Sequence, residues 1–172
     1  SGTFLLDSGA PPKNGVVYIE GVPATQFAVP NEKLTISQRG ARFRPEFLVA
    51  VAGQTVEMPN DDRITHNVFS VSPTKKFDLG HYPQGQMRTV KFEKPGIVEL
   101  FCNIHENMQA VIVITPSPHY ATVGSDGKWE IGSIPPGKYK IVAFAPGVGQ
   151  ESSDIEIKSG QAMTKNLKLA GK

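Results

Sequence analysis

The feature that most constrains this chain is its punctuation. Short runs rich in β-branched and aromatic residues recur along it, and each is closed by glycine, proline or a small polar turn. Val16-Val17-Tyr18-Ile19, Phe47-Leu48-Val49-Ala50-Val51 and Thr89-Val90-Lys91-Phe92 are such runs. So are Ile97-Val98-Glu99-Leu100-Phe101, Ala110-Val111-Ile112-Val113-Ile114 and Lys138-Tyr139-Lys140-Ile141-Val142. Branched and ring side chains suit a pleated, half-buried surface, so these runs are expected as strands. Between them stand Ala52-Gly53-Gln54, Lys94-Pro95-Gly96, Ser125-Asp126-Gly127-Lys128 and Pro135-Pro136-Gly137. Glycine supplies positive φ and proline pre-sets negative φ, which makes these segments turns. No amphipathic pattern longer than about two helical turns interrupts the series. The sequence predicts an all-β protein of one or two sandwiches.

At 172 residues the chain is one large domain or two small ones. A break falls at Thr115-Pro116-Ser117-Pro118, where two prolines follow an apolar run. Beyond it a hairpin is expected over residues 121–131, with Asp126-Gly127 at the turn, and a last strand over 162–167. The segment after the break is thin for an independent sandwich, so it is expected to borrow strands from the first 37 residues.

Composition excludes several classes. Net charge is only +2, with 39% hydrophobic and 20% charged residues, so nothing calls for a nucleic-acid partner. No apolar run approaches the roughly 18 to 20 residues that span a bilayer. The chain opens Ser1-Gly2-Thr3 without an initiator methionine. That start reads as a processed or engineered end from which a targeting segment has been removed. With one cysteine, an internal disulfide is excluded.

That cysteine lies in Phe101-Cys102-Asn103-Ile104-His105-Glu106-Asn107-Met108. Alone, Cys102 would be a small buried hydrophobe and Met108 core filler. Their even spacing around His105 reverses that reading. Thiolate, imidazole and thioether are soft to borderline donors suited to copper cycling between Cu(I) and Cu(II). Two imidazoles and a thiolate in a plane, with a weak axial thioether, make a blue-copper electron-transfer site. A short loop between two strands would let Cys102, His105 and Met108 converge. The second imidazole must come from far away: His66, His81 or His119. His66 is favoured because it opens a strand after the polar turn Asn60-Asp61-Asp62-Arg63-Ile64-Thr65, whereas His81 lies in a Gly/Pro-rich loop and His119 in the linker.

Rival readings exist. Zinc prefers several thiolates or imidazoles and rarely takes thioether. A Cys102–His105 nucleophile would need a third group to orient its base, and none is evidently placed for this. The chain is therefore not expected to be an enzyme. Met58 and Met87 are read as packing, with a place for Met87 near the site as the alternative. Arg39, Arg42 and Arg44 read as a solvated edge strand, with docking of an acidic partner as the alternative. Phe43 is expected to turn inward between Arg42 and Arg44. His81, beside Asp78 and Tyr82, could hold an adventitious second metal.

The ordering Phe43-Arg44-Pro45-Glu46-Phe47-Leu48-Val49, Gly53-Gln54-Thr55-Val56, Asn60-Asp61-Asp62, His66-Asn67-Val68 and Cys102-x-x-His105-x-x-Met108 resembles the cupredoxins. Within them it is most similar to the plastocyanin/amicyanin group and to methylamine-utilization-like bacterial cupredoxins. The latter share His-Asn-Val-Phe-Ser (66–70), Phe-Asp-Leu-Gly (77–80) and Phe-Cys-Asn-Ile-His (101–105). The resemblance implies a Greek-key sandwich over 38–115 and one copper ion. It implies His66, Cys102 and His105 as equatorial ligands, Met108 as the axial one, and Asn67 as a support whose side chain ties two loops together. One position departs from the pattern: relatives place proline after the second histidine, and here stands Glu106. Its carboxylate is either solvated, making the docking face partly acidic, or it approaches the copper and gives a less blue site. The solvated reading is preferred, since Met108 already holds the axial register.

The opening strands and the Asp-Gly and Pro-Pro-Gly turns are similar to the carboxypeptidase regulatory-like family, a small transthyretin-like sandwich. This implies a discontinuous domain, 1–37 plus 116–172, with the cupredoxin inserted in it or packed beside it, acting as a spacer or docking platform. The function so implied is one-electron transfer between a redox donor and acceptor in the bacterial periplasm. A copper carrier or sensor exchanging metal with a partner is the alternative, and a binding module with a vestigial site the third possibility.

Overall fold

The alternating runs fold as strands. The computed structural model describes residues 1–170. Among them the regular structure is β, apart from one 3-10 turn at Ala24–Gln26. The chain opens with β1 (Gly2–Leu6) and β2 (Val16–Glu20). There follow β3 (Leu34–Thr35), β4 (Ser37–Gln38), β5 (Phe43–Arg44), β6 (Phe47–Val51) and β7 (Thr55–Pro59). Next come β8 (His66–Ser70), β9 (Phe77–Tyr82), β10 (Met87–Lys91), β11 (Gly96–Phe101) and β12 (Gln109–Thr115). The chain ends with β13 (Tyr120–Thr122), β14 (Lys128–Trp129), β15 (Gly137–Ala145), β16 (Gly149–Ile157) and β17 (Leu167–Leu169).

These strands divide into two units. One is continuous, Val29–Thr115; the other joins residues 1–28 to the chain from Pro116 onward. The continuous unit starts upstream of residue 38 because β3 pairs in parallel with β7, Leu34 opposite Val56 and Thr35 opposite Glu57.

In the continuous unit a five-stranded sheet, in the order β6-β12-β11-β8-β9, and a three-stranded sheet, β10-β7-β3, supply one apolar core. The two-residue period of a strand decides which side chains enter it. Val98 and Leu100 of β11 are buried while Glu99 between them is exposed; Val56 and Met58 of β7 are buried and Thr55 faces water. Phe43 is buried between exposed Arg42 and Arg44, as its alternation predicts. Strand β8 runs antiparallel to β11, with Phe69 opposite Phe101. The start of β8 and the end of β11 therefore meet at one end of the sheet. His66 begins the first strand and Cys102 follows the second.

In the other unit β1 and β2 pair with strands from the far end of the chain. β2 lies between β13 and β15, and β1 lies between β14 and β17. Two local expectations are corrected. Residues 121–131 do make a tight turn, closed by Gly124 N–H to Lys128 O at 2.9 Å. Its flanking strands do not pair with each other, however: β13 joins β2 and β14 joins β1. The last strand also lies later than 162–167, at Leu167–Leu169, where it pairs in parallel with Phe4–Leu6. The apolar pair Leu167 and Leu169 fixes it there, since both bury against Phe4 and Trp129 in this unit's core.

Candidate metal centre

The loop before His66 is organised by one side chain. Asn60 is fully buried, and its amide donates to Ile64 O and Tyr82 O, both at 2.9 Å. Its Oδ1 accepts the N–H of Asp62 at 2.9 Å, the two-residue bond that asparagine favours in turns. The polar turn is thus folded onto β9, and His66 leaves it in a fixed direction opposite Tyr82. On the other side the chain turns after Cys102, with Met108 N–H donating to His105 O at 3.0 Å.

These two pieces bring three side chains together. The ligand-type atoms of His66, Cys102 and His105 all lie within 4.8 Å of one another. Nδ1 of His66 and Nδ1 of His105 are each 3.9 Å from Cys102 Sγ. The two rings stand edge to face, with centroids 4.8 Å apart. His66 is 0% exposed and Cys102 6%, whereas His105 is half-buried.

The separations suit coordination. An ion about 2.3 Å from sulfur and about 2.0 Å from nitrogen, with about 120° between them, holds those atoms about 3.7 Å apart. The observed 3.9 Å is close to that span and is long for a direct hydrogen bond. Two imidazole nitrogens aimed at one thiol fit a first-row metal, and this donor set suits copper.

Electrostatics support the arrangement. Nε2 of His66 lies 2.8 Å from Asp62 Oδ2. Burial alone would raise the Asp62 carboxyl, yet N–H donors of Ala41 and Gly40 and the His66 ring together hold it below the usual carboxylate value. The acid is therefore ionised at neutral pH, an acceptor facing Nε2 of His66.

The remaining candidates are placed as follows. Met108 is 1% exposed and lies in the apolar core that also contains Cys102. Asn67 accepts the backbone N–H of Asn103 on Oδ1 at 2.9 Å, and its amide lies 3.4 Å from Asp78 Oδ1. Glu106 is exposed and stands outside the cluster. His81 bonds Asn103 Oδ1 through Nε2 at 3.1 Å, and His119 stacks edge-on to Phe27; neither joins the three-residue group. Met58 is fully buried and Met87 exposed. Sequence reasoning missed Asp62 as the partner of His66. The signal was an acid four residues ahead of the histidine, masked by its setting in an ordinary polar turn.

Comparisons with known proteins cover parts of the chain. Residues 118–165 match the family model for domain II of polysaccharide lyase family 4. The match expected there was to a carboxypeptidase regulatory-like domain. No curated protein matches the chain. Solved structures similar to it include a copper-containing nitrite reductase from Thermus scotoductus SA-01, at 24% identity and TM-score 0.46. That match covers 55% of this chain and 25% of the reductase, so the chain spans about a quarter of its length. A purple cupredoxin from Nitrosopumilus maritimus is 21% identical at TM-score 0.44, over 48% of this chain and 99% of that one. An amicyanin variant in the Cu(I) form is 18% identical at TM-score 0.46, over 57% and 97%. Among the described residues, no helix is long and apolar enough to cross a membrane.

Proposed function

We propose that the continuous unit is a cupredoxin-type domain holding one copper ion, and that the protein carries single electrons between redox partners. The observation that carries this reading is the convergence of His66 Nδ1, His105 Nδ1 and Cys102 Sγ at coordination distance. In it His66, Cys102, His105 and Met108 would hold the ion. Copper would supply the Cu(II)/Cu(I) couple.

The chain's own contribution is rigidity and insulation. Each ligand leaves a strand or a hydrogen-bonded turn, so the geometry exists before the metal arrives. Ligand atoms that need not move between oxidation states add little to the barrier for electron transfer. Cys102 and His66 are shielded from water, while the half-buried His105 is the side through which an electron reaches a partner. The deep burial of two ligands favours retention of the metal over its exchange, which ranks the carrier or sensor reading second.

In this reading the protein passes electrons and is not an enzyme, and it works in an exported, periplasmic setting where copper is accessible. The discontinuous unit is assigned a spacer or docking role of the transthyretin-like kind. Cu(II) titration followed by visible absorption tests the reading. The expected result is an intense thiolate-to-copper band at one equivalent, bleached reversibly by reductant and lost in Cys102→Ser. A colourless one-to-one complex overturns it. Release of Cu(I) to a chelator on reduction would favour the carrier.

A further inference from the structure

We propose that Asp62 is a positioning residue of this centre: it fixes the His66 ring with Nδ1 free to bind the metal, and its charge favours the oxidised ion. The inference rests on the copper reading above.

A neutral imidazole has one nitrogen that donates and one that accepts. An ionised carboxylate only accepts. With Asp62 Oδ2 at 2.8 Å, the proton of His66 belongs on Nε2, and the Nδ1 lone pair points toward Cys102 Sγ. The ring is 0% exposed, so water is not available to satisfy Nε2 in place of Asp62.

The carboxylate is itself immobilised. Gly40 N–H donates to Oδ1 at 2.7 Å and Ala41 N–H to Oδ2 at 2.8 Å. Asp62's own N–H is tied to Asn60. Gly40 and Ala41 turn the β4–β5 hairpin with φ of 66° and 49°. Alanine disfavours that left-handed conformation, and the bond from its N–H to Asp62 helps hold it there. A backbone held off its preference, a buried ring and a fixed charge all meet on one side chain.

The alternative is that Asp62 merely caps this hairpin. The two differ electrically. A carboxylate behind a ligating imidazole raises its basicity and stabilises Cu(II) more than Cu(I), whereas a cap acts on folding alone. Asp62→Asn keeps the size and an acceptor for Ala41 N–H and His66 Nε2 but removes the charge and turns its NH2 toward Gly40 N–H.

The test has two arms. In the metal-free, 15N-labelled protein, long-range proton–nitrogen correlations of the His66 ring are expected to show Nε2 protonated and Nδ1 bare. The opposite tautomer overturns the proposal whether or not copper binds. In the copper-loaded protein, Asp62→Asn is expected to weaken Cu(II) affinity about ten- to a hundred-fold. Cu(I) affinity should fall less, raising the reduction potential by about 59 mV for each tenfold difference. Asp62→Glu, which restores the charge, should recover part of that shift. An Asp62→Asn protein with a lower melting temperature but unchanged potential and Cu(II) affinity would make Asp62 a hairpin cap only. Failure of the wild type to bind copper would sink the copper reading and leave the tautomer arm to judge Asp62.

Discussion

Oδ1 of Asn67 accepts the backbone N–H of Asn103 at 2.9 Å, tying the residue after His66 to the residue after Cys102 across 36 positions of sequence. Asn67 is 1% exposed, so its polar atoms must find protein partners. Asn67→Ala is expected to lower the stability of the metal-free protein by about 1–3 kcal/mol, the range for leaving such a group unpaired. Denaturant titration should show the midpoint falling with its slope unchanged. A variant as stable as the wild type would mean that the two loops are held by the strands alone.

Met108 is buried in the apolar core that also holds Cys102, and the proposed function makes it a ligand as well. Packing and ligation separate by substitution. Met108→Ala leaves a cavity and should cost about 2–5 kcal/mol. Met108→Leu conserves volume and should cost less than about 1.5 kcal/mol. If Met108 is the axial ligand, the leucine variant still shifts the visible spectrum and raises the reduction potential, because the weak thioether donor is gone. An unchanged spectrum in Met108→Leu would confine the residue to packing.

Glu106 stands where relatives of the expected family carry proline. Its carboxylate is exposed and outside the His66–Cys102–His105 group. Glu106→Gln is therefore expected to leave the visible spectrum at wild type. Any effect belongs to the ionic-strength dependence of electron transfer to a charged partner, which stopped-flow rates would read. A spectral change would instead put this carboxylate on the metal.

Much of this was legible in the sequence because it depends on local pattern. The strand Phe47–Val51 follows from its run of apolar, β-favouring residues, and the inward turn of Phe43 from period-two alternation. The spacing of Cys102, His105 and Met108 is chemistry written within one loop. What stayed hidden depends on pairing at a distance. The Asp126-Gly127 turn reads as a hairpin, but β13 and β14 each find a better partner in the first twenty residues. No local pattern announces that choice. Asp62 was hidden in the same way: its acceptor role becomes visible only once Gly40, Ala41 and His66 surround it.

Gly127 adopts φ of 79°, and its carbonyl accepts the N–H of Phe4 at 2.8 Å. A Cβ there would sit 2.7 Å from Leu5 Cδ2 and 3.3 Å from Phe4 O. The leucine can swing aside, but the left-handed backbone cannot be relieved so cheaply. Gly127→Ala is expected to destabilise the discontinuous unit by about 1–3 kcal/mol. The chain's one tryptophan, Trp129, lies in that unit, so its fluorescence follows the unfolding directly. Copper binding should be unaffected, which makes the pair of measurements a check on the division into units.

Tyr18 lies on β2 between Tyr120 and Val142. Burial, and secondarily the Glu20 carboxylate, push its phenol from the ordinary 10.0 up to about 12. The folded state therefore holds the phenolic proton more tightly than the unfolded chain does. Below pH 10 both states are protonated and the neutral, buried phenol contributes its full share of stability. Between pH 10 and about 12 the unfolded chain releases the proton first, so stability falls as pH rises. Above about 12 both states are ionised and the slope from this residue ends. Denaturation followed by Trp129 fluorescence across that window should show the decline, and Tyr18→Phe should flatten it. An equally steep decline in the phenylalanine variant would assign the alkaline loss to other groups.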